Sequence, residues 1–275
     1  TKGKPVKDFR QFSLTKMSSL SDLEEIKENE GFKIGALSDK KEVGTLATKG
    51  VFLPLSRQAQ INDDLGALLD LTQAMGGAVM RAQNTSCYDL LFSNPTMLED
   101  NKALFHTDHK NYVTSGGAAP SSTTVDAAVD AIMNQVRLKG NPKDKSEPTG
   151  AIPRYLICPS KHKGVAERLV YSSTYPSSLV TYVGVYNPYN AQGNNPLDVV
   201  VEPYLKALDE DQWYMATDPN EISTLVRLTL MGNEAPIIEQ DRSRGAEPLG
   251  LMFRCFYDWA WMVGDWRGLY ANDGD

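Results

Sequence analysis

The stretch from residue 20 to residue 60 cannot bury itself, and any fold for this chain must supply something for it to lie on. It falls within "SSLSDLEEIKENEGFKIGALSDKKEVGTLATKGVFLPLS", with glycines at 31, 35, 44 and 50 and short apolar touches between charges. Phe32 and Ile34, then Val43, Leu46, Val51, Phe52, Leu53 and Leu55, flank the polar "LSDKKE". This pattern predicts two extended strands joined by a charged turn, a long hairpin. Pro54 sits in the returning strand, where it cannot donate a ladder hydrogen bond, so an edge is expected there. An isolated two-stranded ribbon is marginal in water. Its support is either the body of the same chain or a neighbouring subunit.

Charge points the same way. The chain carries a formal net charge of −7, which argues against a general nucleic-acid binder. Yet residues 1–20 hold Lys2, Lys4, Lys7, Arg10 and Lys16 against a single acid, Asp8. A basic arm on an acidic body suits contact with an acidic neighbour, while composition alone equally allows a solvated terminus. Cys87, Cys158 and Cys255 lie far apart, the pattern of buried, reduced cysteines. No run approaches the ~20 apolar residues a membrane span needs, so no membrane partner is expected. The first residue is Thr, which fits either proteolytic trimming or numbering from an ordered residue.

Beyond residue 60 the pattern becomes that of an α+β protein. "NDDLGALLDLTQAMGGAVMRAQ" reads as a helix opening at Asn62, with Asp63 and Asp64 in its first turn, and continuing to about residue 93. Gly76-Gly77 inside it implies a bend or a close-packed neighbour. A second helix is expected over 124–139, opened by Thr123 and Asp126, striped by Val125, Val129, Ile132, Met133 and Val136, and stopped by Gly140-Asn141-Pro142. "IPRYLICP" predicts a strand and "KGVAERLVYSS" a helix. Residues 172–197 read as long loops or a flap, and "LDVVVEPYL" and "QWYMATDP" as strands bracketing an "LDED" turn. The tail carries three of the four tryptophans and reads as a covered hairpin around "DRSRGAEP".

Chemistry is thin. His106, Asp108 and His109 form the densest cluster and could begin a metal-dependent hydrolase site. A zinc site needs three or four protein ligands, and the remaining histidine, His162, sits between Lys161 and Lys163. The other reading is a hydrogen-bonded corner after "NPTMLEDNKALF". No phosphate loop, dinucleotide fingerprint or nucleophile elbow is present. Asp258 and Asp265-Trp266-Arg267 suggest a local ion pair. No catalytic residue and no cofactor is assigned.

Four segments taken in order, "GVFLPLSRQAQINDDLGAL", "LLFSNPTMLEDNKALFHTDHKNYV", "PRYLICPSKHKGVAERLV" and "DWRGLYANDG", resemble the major head subunit of Mu-type tailed phages. The resemblance runs from about residue 35 to the end, and it turns the His106–His109 cluster towards structure. It implies the Hong Kong 97-like capsid fold: an N-terminal arm over 1–19, an E-loop over 20–60, and a P-domain with a spine helix over 61–150. An A-domain over 151–231 would follow, with C-terminal strands over 232–275 completing the P-domain. The implied function is a major capsid protein that assembles with itself, as pentamers and hexamers, into the virion head shell. Portal, scaffold, maturation protease and cement protein are the further partners implied, with packaged DNA met only non-specifically and assembly in the host cytoplasm. Contacts with neighbouring subunits would fall on Lys2, Lys4, Lys7 and Arg10 of the arm and Ser38, Asp39, Lys40 and Lys41 of the hairpin. Thr1 would then be a protease product. Some members of the wider fold cross-link a lysine to an asparagine; Lys40 and Lys41 invite that role, but no matching environment is legible. An encapsulin-like nanocompartment shell is the other assembly built on this fold.

Overall fold

In a computed structural model of the chain, the described residues are 1–20, 25–26, 37–62, 67–114, 116–141, 145–174, 187–190, 196–242 and 250–274. The elements run β1 (Lys2–Val6), β2 (Phe12–Met17), β3 (Asp39–Gly44), β4 (Ala47–Ser56), α1 (Arg57–Ile61), α2 (Ala67–Phe92), β5 (Tyr112–Val113), α3 (Ser122–Met133) and β6 (Pro153–Cys158). They continue as α4 (Lys163–Tyr171), β7 (Asp198–Val201), α5 (Leu205–Leu208), β8 (Trp213–Thr217), β9 (Leu225–Leu230), β10 (Ile237–Arg242), β11 (Gly250–Val263) and β12 (Leu269–Asn272).

Two sheets organise the molecule. One has the order β5-β12-β8-β6-β7, with β8 at its centre and buried along its whole length. Because successive side chains point to opposite faces, Trp213 and Met215 join a core with Val125, Ile132, Leu156 and Val170 beneath α3 and α4. Tyr214 and Ala216 join the opposite core, with Leu91, Met97, Leu104 and Phe105 at the end of α2. A side chain of that size taken wholly out of water contributes about 1.5–3 kcal/mol. The second sheet runs β1-β9-β11-β10, with β4 on the other edge of β11. Its Val6, Val226, Leu228 and Met262 pack with Phe12 and Leu14 of β2, while Phe253 and Cys255 pack on Met75 of α2.

The expected long hairpin is rearranged. "LSDKKE" is no turn: Asp39–Gly44 is a strand paired antiparallel with β2, from Phe12↔Gly44 to Met17↔Asp39. The body satisfies Lys40 and Glu42 while Asp39 and Lys41 face solvent, which is why a charged run tolerates a strand. Strand β4 then leaves that pair and lies along β11, from Ala47↔Trp259 to Ser56↔Gly250. Its edge position is the one Pro54 predicted. The proposed strand through Phe32 and Ile34 lies outside the described residues.

Helix boundaries also shift. Asn62 donates its N–H to Gln58 O at 3.0 Å and so closes α1 instead of opening a helix. Asp63 and Asp64 lie outside the described residues. Within α2 a side chain at Gly76 would meet nothing within 4 Å, and at Gly77 only the end of Arg81, so neither glycine serves a close approach. Helix α3 is capped by Ser121, not Thr123: Thr124 N–H donates to its Oγ at 3.2 Å, and Ser121 N–H donates to Thr124 Oγ1 at 2.8 Å. The helix ends at Met133, before the glycine signal, because Gln135 and Arg137 are drawn into backbone hydrogen bonds with Thr149 and Glu147. Val136, expected in the buried stripe, is therefore exposed.

Strand β6 and helix α4 fall where the sequence places them. The strands around "LDED" are not neighbours: β7 pairs parallel and β8 antiparallel with β6, so α5 carries the chain across it. Of the expected flap, residues 175–186 and 191–195 lie outside the described set.

Candidate functional site

The segment from Asn94 to Asn111 builds a knot out of side-chain-to-backbone hydrogen bonds. Asn94 stops α2 in a left-handed conformation (φ 48°) and brackets Phe105, accepting its N–H at 2.7 Å and donating to its carbonyl at 3.0 Å. Asn111 does the same at the far end, accepting His106 N–H at 3.0 Å and donating to Leu104 O at 2.9 Å. Asn111 is fully buried, so both bonds remove a desolvation cost of about 1–3 kcal/mol per group.

The three residues of the histidine cluster are absorbed into this knot. His106 Nδ1 accepts Asp108 N–H at 3.1 Å and caps a single 3-10 turn, Thr107–His109. Asp108 pairs with Lys102 at 2.6 Å. His109 is buried, its Nε2 lies 2.6 Å from Asp100 Oδ2, and its ring stacks on Trp266 at 4.0 Å. Every one of these contacts fixes a loop, and among the described residues no three His, Cys, Asp or Glu side chains converge as a metal ion would require. His162 is likewise buried, 3.4 Å from Asp211.

Above the knot lies a buried ionic lock that joins three distant parts of the chain. Arg267 binds Glu99 in bidentate fashion, at 2.6 and 3.2 Å, and Asp265 at 3.1 Å. Lys16 of β2 approaches the same Glu99 at 2.5 Å. Side-chain exposures of 9% for Arg267, 6% for Glu99 and 13% for Lys16 keep water out. Burial alone would raise the Glu99 carboxyl, but the hydrogen bonds and charges of Arg267 and Lys16 outweigh it and bring its pKa down to about 2. Arg267 also donates to Val136 O at 2.7 Å. Glu42 of β3 adds a second clamp, accepting the N–H groups of Leu98 and Glu99 at 3.0 and 3.1 Å.

The residues proposed for subunit contacts divide into two groups on separate sheets. Lys2 and Lys4 lie on β1, which pairs in parallel with β9 of the same chain, so the arm is docked on its own body at this point. Lys4 sits 5.0 Å over the Phe12 ring. Lys7 and Arg10 are exposed on the bends that follow, Arg10 holding Asp8 through its backbone N–H. Ser38, Asp39, Lys40 and Lys41 are not in a turn: Asp39, Lys40 and Lys41 belong to β3 and pair with Met17, Lys16 and Thr15 of β2, and Ser38 immediately precedes them. Ser38 Oγ donates to Lys139 O at 2.6 Å and Lys40 Nζ to Glu99 O at 3.1 Å, while Asp39 and Lys41 face solvent.

Sequence reasoning found the Asp265–Arg267 pair but missed Glu99, Lys16 and Glu42. Asp258, grouped with that pair, instead accepts the Thr48 hydroxyl across β11 and β4. The only signal for Glu99 was its place inside "NPTMLEDNKALF", a stretch the resemblance singled out.

Two sheets, a long helix laid along one of them and a paired N-terminal segment define the Hong Kong 97-like capsid fold. The capsid of the native GTA particle superposes with a TM-score of 0.63 at 11% identity, over 98% of this chain and 86% of that one. A chain from Microbacterium phage Oxtober96 gives 0.61 at 8% identity, over 98% and 88%. The holo-SrpI encapsulin complex of Synechococcus elongatus PCC 7942 gives 0.57 at 9% identity, over 100% and 85%. No curated protein sequence matches the chain. Residues 40–272 match the family described as phage capsid protein, and the chain belongs to that family. It is a major capsid protein: copies of it assemble with one another into the shell of a phage head.

Proposed function

We propose that this chain acts solely as a building block, without catalytic function, in a shell of pentamers and hexamers around the phage genome. Residues 1–19 serve as the arm, 20–60 as the E-loop, 61–150 and 232–275 as the P-domain and 151–231 as the A-domain. Lys2, Lys4, Lys7 and Arg10, with Asp39 and Lys41, are offered to neighbouring subunits, and Ser38 and Lys40 also fasten this end of β3 to Lys139 and Glu99. The observation that carries this reading is β4. It is an edge strand in which only Leu53 and Leu55 are not exposed, and Val51 and Phe52 keep 50% and 52% of their surface open. An open apolar edge is a template for association, which a chain working alone blunts and a shell subunit uses. The acidic body limits adhesion of packaged DNA, so DNA is met non-specifically. Portal, scaffold, maturation protease and cement protein are the expected further partners, met in the host cytoplasm during assembly.

The test is particle mass, by light scattering with negative-stain images. Shells or five- and six-membered rings support the reading. A stable monomer of about the chain's 30.3 kDa at every salt concentration refutes it. The likeness to an encapsulin supports a second reading, a cellular compartment shell. Protein cargo instead of DNA inside the purified particles would favour it.

A further inference from the structure

We propose that His109 is held as an imidazolium, with a proton on each ring nitrogen, and that the corner built on it is a clasp closed by that second proton. The observation is a count of donors. His109 Nδ1 lies 3.2 Å from Leu104 O and Nε2 lies 2.6 Å from Asp100 Oδ2, and both oxygens are acceptors. A neutral imidazole has one N–H, so one of its nitrogens would turn a lone pair onto an oxygen; the imidazolium satisfies both. The side chain is 3% exposed, so bulk water does not relieve that clash. His106, three residues earlier, is in the opposite state: its Nδ1 accepts Asp108 N–H at 3.1 Å and so carries no proton. A ring protonated on both nitrogens has no lone pair for a metal, so the same assignment removes His109 as a metal ligand.

The groups packed around the ring favour the extra proton. Within the corner, Asp100 Oδ1 accepts Lys102 N–H at 3.1 Å, which leaves Oδ2 for His109. Imidazole is a stronger base than a carboxylate, so the proton between them sits on His109. The Lys102 ammonium is paired with Asp108 at 2.6 Å. From the turn before β12, Trp266 stacks on His109 at 4.0 Å, a face that attracts a cation. Arg267 packs over the same Trp266 ring at 4.5 Å, but its charge is met by Glu99 and Asp265. From the end of α3 the contact is neutral: Gln135 Nε2 donates to His109 O at 2.8 Å. Asp100 is thus the charge left to answer His109. Withdrawing the proton breaks one of the two ring hydrogen bonds in the segment that also presents Glu99 to Lys16 and Arg267. Alkaline pH therefore loosens the corner from inside.

Solid-state nitrogen NMR of the sedimented full chain, labelled at its three histidines, reads the rings directly at pH 7.0, where a solvated histidine is mostly neutral. Both nitrogens of His109 are expected to be protonated, and His106 to show one bare nitrogen. The His109 signals are those lost in H109Q or, if that variant does not fold, those displaced in D100N. The absence of any doubly protonated ring overturns the proposal, and so does a doubly protonated signal that survives H109Q and D100N unchanged. The second readout is the urea midpoint of wild type against D100N, or against H109Q if D100N does not fold. The folded chain keeps a proton that the unfolded chain releases near pH 6.5, so the contribution is full below that pH and is lost as pH rises through the folded-state titration. The gap in midpoint is expected to be about twofold wider, or more, at pH 6 than at pH 9. A gap that stays constant across that range overturns the proposal. Neither readout depends on shell formation.

Discussion

Replacing Glu99 by glutamine removes one charge from the ionic lock and leaves two cations behind. Glu99 is 6% exposed in its side chain, so solvent screens little of the interaction. A carboxyl brought from an ordinary 4.5 down to about 2 has about 3 kcal/mol of preferential stabilisation at neutral pH. The same figure follows from the other side. Arg267 and Lys16 stay buried with only Asp265 to face, and breaking one partner of a buried pair costs about 3–5 kcal/mol. Equilibrium urea unfolding of dissociated subunits, at fixed protein concentration, is the assay. At a slope of about 3 kcal/mol per molar, E99Q lowers the midpoint by about 1 M. Because the folded pKa is depressed, the contribution is fully present above pH 4.5 and is lost as pH falls towards 2. The gap between wild type and E99Q is therefore constant from about pH 6 to 8 and closes below pH 4. R267Q costs a similar amount, and the double variant costs about 2 kcal/mol less than the two added. A loss under 1 kcal/mol, or a gap that ignores acid, would refute the reasoning.

Three more outcomes follow from the same structure. H109A loses the Asp100 contact and the stacked Trp266 face, so it melts at least 5 °C lower, about 2–3 kcal/mol, while EDTA and added zinc leave the wild-type melting curve unchanged. G76A raises stability by about 0.5–1 kcal/mol, read as about 1–4 °C in calorimetry, because the helix gains a better former and the new methyl meets open space. The thiols of Cys87, Cys158 and Cys255 are buried, and burial pushes Cys87 and Cys158 to about 11 and raises Cys255. All three stay silent to Ellman's reagent in native protein at pH 8 and react together in urea; a fast native reaction would contradict the packing.

Local signals were read well where local physics decides. "PRYLIC" is a strand and "KGVAERLVY" a helix because apolar spacing, length and flanking residues agree there. Where a distant partner decides, the sequence misleads. Asp39–Gly44 is polar enough to pass for a turn, and its ladder with β2, with Lys40 and Glu42 bound to Leu98 and Glu99, explains why it is a strand. Asn62, Asp63 and Asp64 resemble a helix start, yet the backbone is already helical from Arg57. The ionic lock is the extreme case: Lys16, Glu99 and Arg267 are separated by 83 and 168 residues, and no periodicity relates them. The histidine corner was partly visible because Asp100, Lys102 and Asn111 lie within a dozen residues of it, whereas Trp266, stacked on His109, comes from the far end of the chain.

The pairing of β4 with β11 sets a timetable for the growing chain. Thr48 and Asp258, which face each other across it, are 210 residues apart. At about 5–20 residues per second, a ribosome needs on the order of 10–40 s to cover that distance. Throughout that interval Val51, Phe52, Leu53 and Leu55 have left the ribosome with no β11 strand to lie on. Translation rate and chaperone supply should therefore set the yield of folded subunits more strongly than final stability does. A pause or truncation just before residue 250 would convert the opening segment of this protein into its most aggregation-prone part.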